Sequence, residues 1–379
     1  MNKIIKKWII HPIKRRIAKF YLFVLRRFTG IKVIGITGSA GKTTTKEMLA
    51  SILKLQGKTV YTLANIDPIY NIPTTILKCT PKTRYLILEM GVEYPGEMDF
   101  YLWLARPDVG IITNINVTHT QFLGDVEGVF KEKSKLVMAL SKDNWAILSI
   151  EDEKLKKMKG KLSSKIIWFG EDGFIKANNI KFANNSTEFD LYIGKNNYKT
   201  SIPIYGRHFV ANALAATATA FSLGINFEKI VKGLGNFQLQ EHRMKVIRQK
   251  SGVLVVDDTY NNNPSAAKET LKTFIEIAKE RKKLVVMGDM LELGKLEKSE
   301  HVRLGKKISD LGIDFLIGVG KASQYMVEEA KENMGNGNVL WLEDKDSVLK
   351  HLKPFLNKNW SILIKGSRSV GLDEVVNRL

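Results

Sequence analysis

A chain of 379 residues exceeds one ordinary domain, and its 44% hydrophobic content is enough for two cores. Lys and Arg outnumber Asp and Glu by 59 to 39, so the surrounding field attracts anions such as phosphates, acidic peptides or lipid headgroups. The lysines are spread along the whole chain and no zinc-finger spacing or RNP-type aromatic motif occurs, so nucleic acid is not an expected partner; the single Cys79 excludes an internal disulfide and fits a reducing, cytoplasmic setting.

The N-terminal segment differs from the rest. Between Met1 and Lys46 there is no acidic residue, whereas Lys3, Lys6, Lys7, Lys14, Arg15, Arg16, Lys19, Arg26 and Arg27 crowd the start. Ile13, Ile17, Phe20 and Val24 recur at helical spacing, and Trp8, Ile9 and Ile10 lie upstream of Pro12. No apolar run is long enough to span a bilayer. Arginines interrupt the segment and no small-residue cleavage site follows, which argues against a signal peptide. Two readings stay open. In one, residues 1–29 form an interfacial helix on an anionic membrane, leaving the protein peripheral to the inner membrane face. In the other, the helix packs on the next domain with a solvated basic face.

From Lys32 onward, short apolar runs alternate with amphipathic segments, the pattern of a mostly parallel sheet flanked by helices in an α/β protein. Strands are expected at Lys32–Ile36, Arg84–Leu88 and Val109–Thr113, with a helix over Thr43–Leu55. Residues 160–204 read as a β-rich insertion, and Asn212–Leu223 as an alanine-rich helix. A second α/β unit begins after about Gln240. Its strands are expected at Val253–Val256, Lys283–Met287, Phe315–Ile317, Val339–Leu342 and Ile362–Ile364, with helices near 265–280, 298–311, 322–333 and 345–355. The organisation is therefore a basic segment over 1–30, a nucleotide-binding P-loop domain over 31–240, and a Rossmann-like domain over 241–379.

Ligands of open α/β sheets bind at the carboxyl ends of strands, which directs attention to the polar residues there. Gly35-Ile36-Thr37-Gly38-Ser39-Ala40-Gly41-Lys42-Thr43-Thr44 joins the first strand to its helix and departs from the strict phosphate-loop pattern only in having Ile36 where the first glycine belongs. The backbone of Gly38, Ser39, Ala40 and Gly41 and the positive helix end suit phosphates, Lys42 supplies a cation for the β- and γ-phosphates, and Thr43 a hydroxyl for Mg²⁺. Glu89 closes the strand Tyr85-Leu86-Ile87-Leu88, where a carboxylate beside a phosphate loop is a natural Mg²⁺ ligand. His119 follows Thr113-Asn114 at another strand end; a lone histidine there is more often structural than functional.

These motifs, together with Arg106-Pro107-Asp108, Gly206-Arg207-His208 with Asn212, Asp257-Asp258-Thr259-Tyr260-Asn261 with Asn263-Pro264, Gly288-Asp289-Met290-Leu291-Glu292-Leu293-Gly294 and Lys365-Gly366-Ser367-Arg368, resemble the Mur ligases, their MurF branch most. The resemblance runs in matching order from about Ile31 to Leu379, and the shorter T-G-x-x-G-K-T loop is the form this family uses.

The resemblance implies an ATP- and Mg²⁺-dependent ligase of cell-wall precursors: ATP phosphorylates a precursor carboxylate, and an amino acid or dipeptide amine then displaces phosphate. It implies that Lys42 holds the γ-phosphate, Thr43 and Glu89 a first Mg²⁺ and His119 a second metal. Asn212 would contact adenine, Arg243 the phosphates from the hinge Glu241-His242-Arg243, and Asp258 the ribose. Tyr260, Asn261, Lys365 and Arg368 would face the amino substrate. A carbamylated lysine, falling on Lys133 between Lys131 and Lys135, would bridge to the second Mg²⁺. The branch carries a UDP-sugar-binding N-terminal domain where this chain has about 30 residues, so recognition of UDP by a dedicated domain is not expected; the precursor is expected to be UDP-linked or, if the basic helix binds membranes, lipid-linked. The alternatives are an archaeal pseudomurein peptide ligase and a non-catalytic ATP-binding scaffold.

Overall fold

The computed structural model describes residues 11–63, 66–183, 186–238 and 241–379; Trp8, Ile9 and Ile10 of the basic segment, with Lys3, Lys6 and Lys7, lie outside the described residues. The chain forms two compact units. One comprises Met1–Asn116, Leu123–Pro203 and His208–Gln238; the other comprises Val117–Phe122, Ile204–Arg207 and Leu239–Leu379.

Among the described residues the first unit runs from helix α1 (His11–Thr29) through β1 (Lys32–Thr37), α2 (Lys42–Lys54), β2 (Thr59–Tyr61), α3 (Pro68–Leu77), β3 (Tyr85–Glu89) and α4 (Glu97–Leu104) to β4 (Val109–Ile112). After these come α5 (Val126–Met138), β5 (Trp145–Ser149), β6 (Lys165–Phe169), β7 (Ile175–Ala183), β8 (Ser186–Ile193), β9 (Asn196–Ile202), α6 (Arg207–Ser222) and α7 (Phe227–Gly235). The strands make one sheet in the order β2-β3-β1-β4-β5-β6-β7-β8-β9. β1 lies between β3 and β4, parallel to both, with Ile36 opposite Glu89 and Thr37 opposite Ile112. A continuous buried run such as Val33 to Thr37 is what a parallel strand covered on both faces requires. This register brings the phosphate loop, Glu89 and Thr113 to the same edge.

The β-rich stretch expected over 160–204 forms strands that belong to the same sheet. β6 pairs in parallel with β5, Phe169 of β6 meets Ile175 of β7, and the antiparallel ribbon β7-β8-β9 continues the same sheet. Its alternating burial, as in Thr187, Phe189, Leu191 and Ile193, reflects a ribbon covered on one face, which is why its sequence changes character without leaving the sheet.

α1 packs through Ala18, Leu22 and Leu25 into a core with Ile72, Ile76, Leu86, Leu88 and Tyr101. Tyr21 donates to the Cys79 carbonyl at 2.8 Å, Lys14 to Thr74 at 2.8 Å, and Arg26 pairs with Asp108 at 3.0 Å. The helix is thus fastened at both ends and along its middle.

The second unit contains β10 (Lys245–Arg248), β11 (Leu254–Asp258), α8 (Pro264–Ala278), β12 (Lys282–Gly288), α9 (Glu297–Asp310), β13 (Phe315–Val319), α10 (Ser323–Met334), β14 (Val339–Leu342), α11 (Val348–Leu352), β15 (Trp360–Lys365) and α12 (Leu372–Asn377). Its sheet order is β10-β11-β15-β12-β13-β14, parallel except for the edge strand β10. β10 and β2 escape the sequence pattern because both are short, half-buried edge strands without a continuous apolar run. The helix expected near 345–355 is confined to Val348–Leu352, with Pro354 in a 3₁₀ turn after it.

Candidate active site

The loop from Gly38 to Gly41 is shaped by its glycines and by the end of β4. Gly38 and Gly41 have φ of 145° and 80°, and a Cβ on either would overlap Thr113 or Asn212 respectively. Ser39 N–H donates to the Asn114 carbonyl at 2.9 Å and Ala40 N–H to Asn114 Oδ1 at 3.0 Å, while Thr113 Oγ1 donates to the Ala40 carbonyl at 2.6 Å. These bonds pin the outer loop to the residues that follow β4. Asn212, buried in α6, lies directly against Gly41.

Lys42 Nζ reaches back to the Gly38 carbonyl at 2.7 Å. Thr43 Oγ1 donates to Glu89 Oε1 at 2.9 Å, and fully buried Lys46 meets Glu89 Oε2 at 3.1 Å. Burial pushes the Glu89 carboxyl upward, but the charges of Lys46 and Lys42 and the hydrogen bonds from Thr43 and Lys46 outweigh it, so its pKa lies below the usual carboxylate range. An ionised carboxylate and a hydroxyl side by side are hard oxygen donors of the kind Mg²⁺ takes.

Lys133 stands apart from its neighbours on α5. Lys131 is exposed, and Lys135 is paired with Asp99 at 2.6 Å and Glu132 at 2.7 Å. Lys133 is fully buried, and its Nζ has no hydrogen-bond partner among the described residues. Burial, reinforced by the Lys42 charge, holds its pKa well below the ordinary lysine value; Glu132 and Glu97 oppose this only in part. Glu132 is occupied in accepting the Gly96 and Met98 N–H groups, both at 3.0 Å.

In the second unit, His119 has a φ of 54° and its Nδ1 lies 2.6 Å from Glu292 Oε2. The hydrogen bond from His119 holds the Glu292 carboxyl below its usual range. Gln121 N–H donates to the Glu292 carbonyl at 3.3 Å and Thr120 Oγ1 to the Leu293 carbonyl at 3.1 Å, so the short segment around His119 is moored to the Gly288–Gly294 loop. Arg243 stacks on Tyr260, with its guanidinium carbon 3.8 Å from the ring centre. Next to it, His242 Nδ1 lies 2.8 Å from Asp257 Oδ2. Lys365 is buried and donates to Asp258 Oδ2 at 2.7 Å and to the Asn261 carbonyl at 2.8 Å; Thr270 donates to the same Asp258 oxygen at 2.7 Å. Arg368, three residues on, is exposed and separate from this network.

Residues 36–220 match the Mur ligase middle domain, and residues 242–368 match the Mur ligase, glutamate ligase domain. The chain belongs to the Mur ligase family. It is 33% identical over 365 residues to the UDP-N-acetylmuramoyl-tripeptide--D-alanyl-D-alanine ligase of Bacillus subtilis strain 168, covering 96% of this chain and 78% of that relative. Crystal structure I of MurF from Acinetobacter baumannii superposes with a TM-score of 0.89 at 29% identity, covering 97% of this chain and 80% of that one. The Thermotoga maritima MurF ligase, solved in complex with ADP, gives 0.85 at 26% identity, covering 97% and 82%. A pseudomurein peptide ligase type C from Methanothermus fervidus, at 21% identity and a TM-score of 0.71, shares the fold. This Mur ligase is an ATP-dependent ligase of the MurF type.

Two site residues of the Mur ligase had no role assigned from sequence. Lys46 lies one turn beyond Lys42, where a lysine in a helix reads as surface; its burial against Glu89 is a tertiary fact. Glu292 lay inside a quoted motif, but its pairing with His119 joins positions 173 residues apart and has no local signal.

Proposed function

We propose that this Mur ligase joins D-alanyl-D-alanine to a UDP- or lipid-linked muramoyl tripeptide. The observation that carries the reading is the buried Lys133, without a hydrogen-bond partner among the described residues, in a unit whose phosphate-loop Thr43 is bonded to Glu89. A scaffold that only bound nucleotide would have no use for an amine buried at such cost. Reaction with CO₂ would turn that amine into a carbamate, whose oxygens are hard ligands. The depressed pKa suits the modification, because only the neutral amine attacks CO₂.

Mg²⁺ would supply charge neutralisation on the transferring phosphoryl group; Thr43 and Glu89 are the residues that would hold a first ion, and His119 and carbamylated Lys133 those that would hold a second. Lys42 binds and orients the γ-phosphate. A carboxylate oxygen of the tripeptide attacks the γ-phosphorus and ADP leaves, giving an acyl phosphate. The amine of the dipeptide then attacks the acyl carbon, loses a proton, and phosphate departs as the amide forms. We assign Asn212, which lies against Gly41, to the adenine, and Arg243, stacked on Tyr260, to the phosphates. We assign Asp258 to the ribose, and Tyr260, Asn261 and exposed Arg368 to the amino substrate. The bonds of Lys365 favour a supporting role that fixes Asp258 and the Asn261 carbonyl. The enzyme works in the cytoplasm in this account. Neither identity nor a site feature favours the pseudomurein alternative.

The test is incubation with ATP, Mg²⁺, UDP-linked tripeptide and D-alanyl-D-alanine, read by mass spectrometry. A condensed product with one ADP per amide supports the reading. ADP without product from any UDP- or lipid-linked acceptor, or no turnover, rejects it.

A further inference from the structure

The face of α1 opposite its core contacts is unusual for a surface helix. Ile13, Ile17, Phe20, Val24 and Phe28 succeed one another at steps of four, three, four and four residues, which places them along one side of the helix. Phe20, Phe23 and Phe28 are 69%, 66% and 81% exposed, and Ile13 and Ile17 about half. Isolated exposed apolar residues need no explanation, but a stripe of this length on one helix marks an interaction surface.

The charges select the partner. α1 has no acidic residue, and Arg16 and Arg27 are exposed beside the stripe. Lys19 sits over the half-exposed ring of Trp103, 4.2 Å from its centre, adding an aromatic and a cation at the helix flank. A second copy pairing through the same stripe would bring two wholly basic helices together, whereas an anionic surface complements them. The helix cannot turn its stripe inward, because Ala18, Leu22 and Leu25, the Tyr21–Cys79 bond and the Arg26–Asp108 pair fix the opposite face. No helix among the described residues is long and apolar enough to cross a membrane, so contact would be interfacial.

We propose that the outward face of α1 docks this protein on an anionic lipid bilayer, with Phe20, Phe23 and Phe28 entering the headgroup boundary and Arg16 and Arg27 meeting lipid phosphates. The proposal is independent of the ligation reading, since binding needs neither nucleotide nor precursor.

The experiment is co-sedimentation of the full chain with vesicles of phosphatidylcholine containing 30–40% phosphatidylglycerol (roughly the charge density that gives a strong surface potential) and with pure phosphatidylcholine. Binding to the anionic vesicles, weakened about tenfold or more in Phe20→Ser/Phe28→Ser and again in Arg16→Glu/Arg27→Glu, is the expected result. Both pairs are exposed, so unchanged melting temperatures check that the fold survives. Equal binding by wild type and variants, or none, overturns the proposal. So does a concentration-dependent dimer that Phe20→Ser/Phe28→Ser dissolves, which would assign the stripe to a second copy.

Discussion

Replacing Lys133 with methionine separates stability from catalysis at one atom. Methionine keeps the length and most of the volume of the side chain but removes the amine that α5 buries without a hydrogen-bond partner among the described residues. Leaving a polar group buried and unsatisfied costs about 1–3 kcal/mol, so in protein free of nucleotide and metal the Lys133→Met variant is expected to be more stable by about that amount. Each kcal/mol is worth about 2–4 °C in melting temperature for a unit of this size. The pH dependence has a definite sign. The folded-state pKa of Lys133 lies well below 10.5, its ordinary value, so between the two the unfolded chain binds a proton that the folded chain does not. Wild-type stability therefore rises with pH through that window, and the variant lacks this slope. Turnover should move the opposite way, falling roughly 100-fold with loss of the ligand. Wild-type turnover in CO₂-depleted buffer should also fall and recover on adding bicarbonate. Calorimetry of both proteins from pH 7 to 10, beside an ADP-release assay, checks all of this. A variant that is less stable and fully active would refute the reasoning at both ends, because the amine would then have a partner and no catalytic use.

Gly41→Ala places a Cβ against Asn212 at a φ of 80°, and should abolish nucleotide binding in a titration with a fluorescent ATP analogue. Gly96→Ala, at a similar φ of 87° but in open space, should cost only about 1–2 kcal/mol and leave binding intact. Asp258→Ala strands the buried Lys365 ammonium and should destabilise the second unit by about 3–5 kcal/mol in urea unfolding. Arg243→Ala removes a cation stacked on Tyr260 and should raise KM for ATP about tenfold or more while the melting temperature stays within a few degrees. An unchanged KM would remove Arg243 from the phosphate site.

What could be read from the sequence follows physical locality. The phosphate loop was legible because its glycines, lysine and threonines act within one strand-turn-helix unit, and the parallel strands because two-sided burial writes continuous apolar runs such as Leu254 to Val256. Choosing Lys133 between Lys131 and Lys135 needed the family resemblance, since three lysines at alternate positions are equivalent in composition; burial separates them. The ribbon β7-β8-β9 could be seen as strands but not as part of the main sheet, because the joining contact of Phe169 with Ile175 involves one residue pair. For α1 the sequence leaves two readings open. The helix packs, as the second reading held, but the face left outside carries Phe20, Phe23 and Phe28, not only basic groups. The inward residues Ala18, Leu22 and Leu25 are no more apolar than the outward ones, so hydrophobicity alone could not orient the helix.

The central claim is that ATP activates a precursor carboxylate as an acyl phosphate. Labelling both oxygens of that carboxylate with ¹⁸O and following the phosphate released during ligation tests it most directly. One ¹⁸O should appear in each phosphate, and the other should remain in the new amide. Phosphate free of label, formed together with ADP, would mean that water and not the carboxylate takes the phosphoryl group, and would contradict the account.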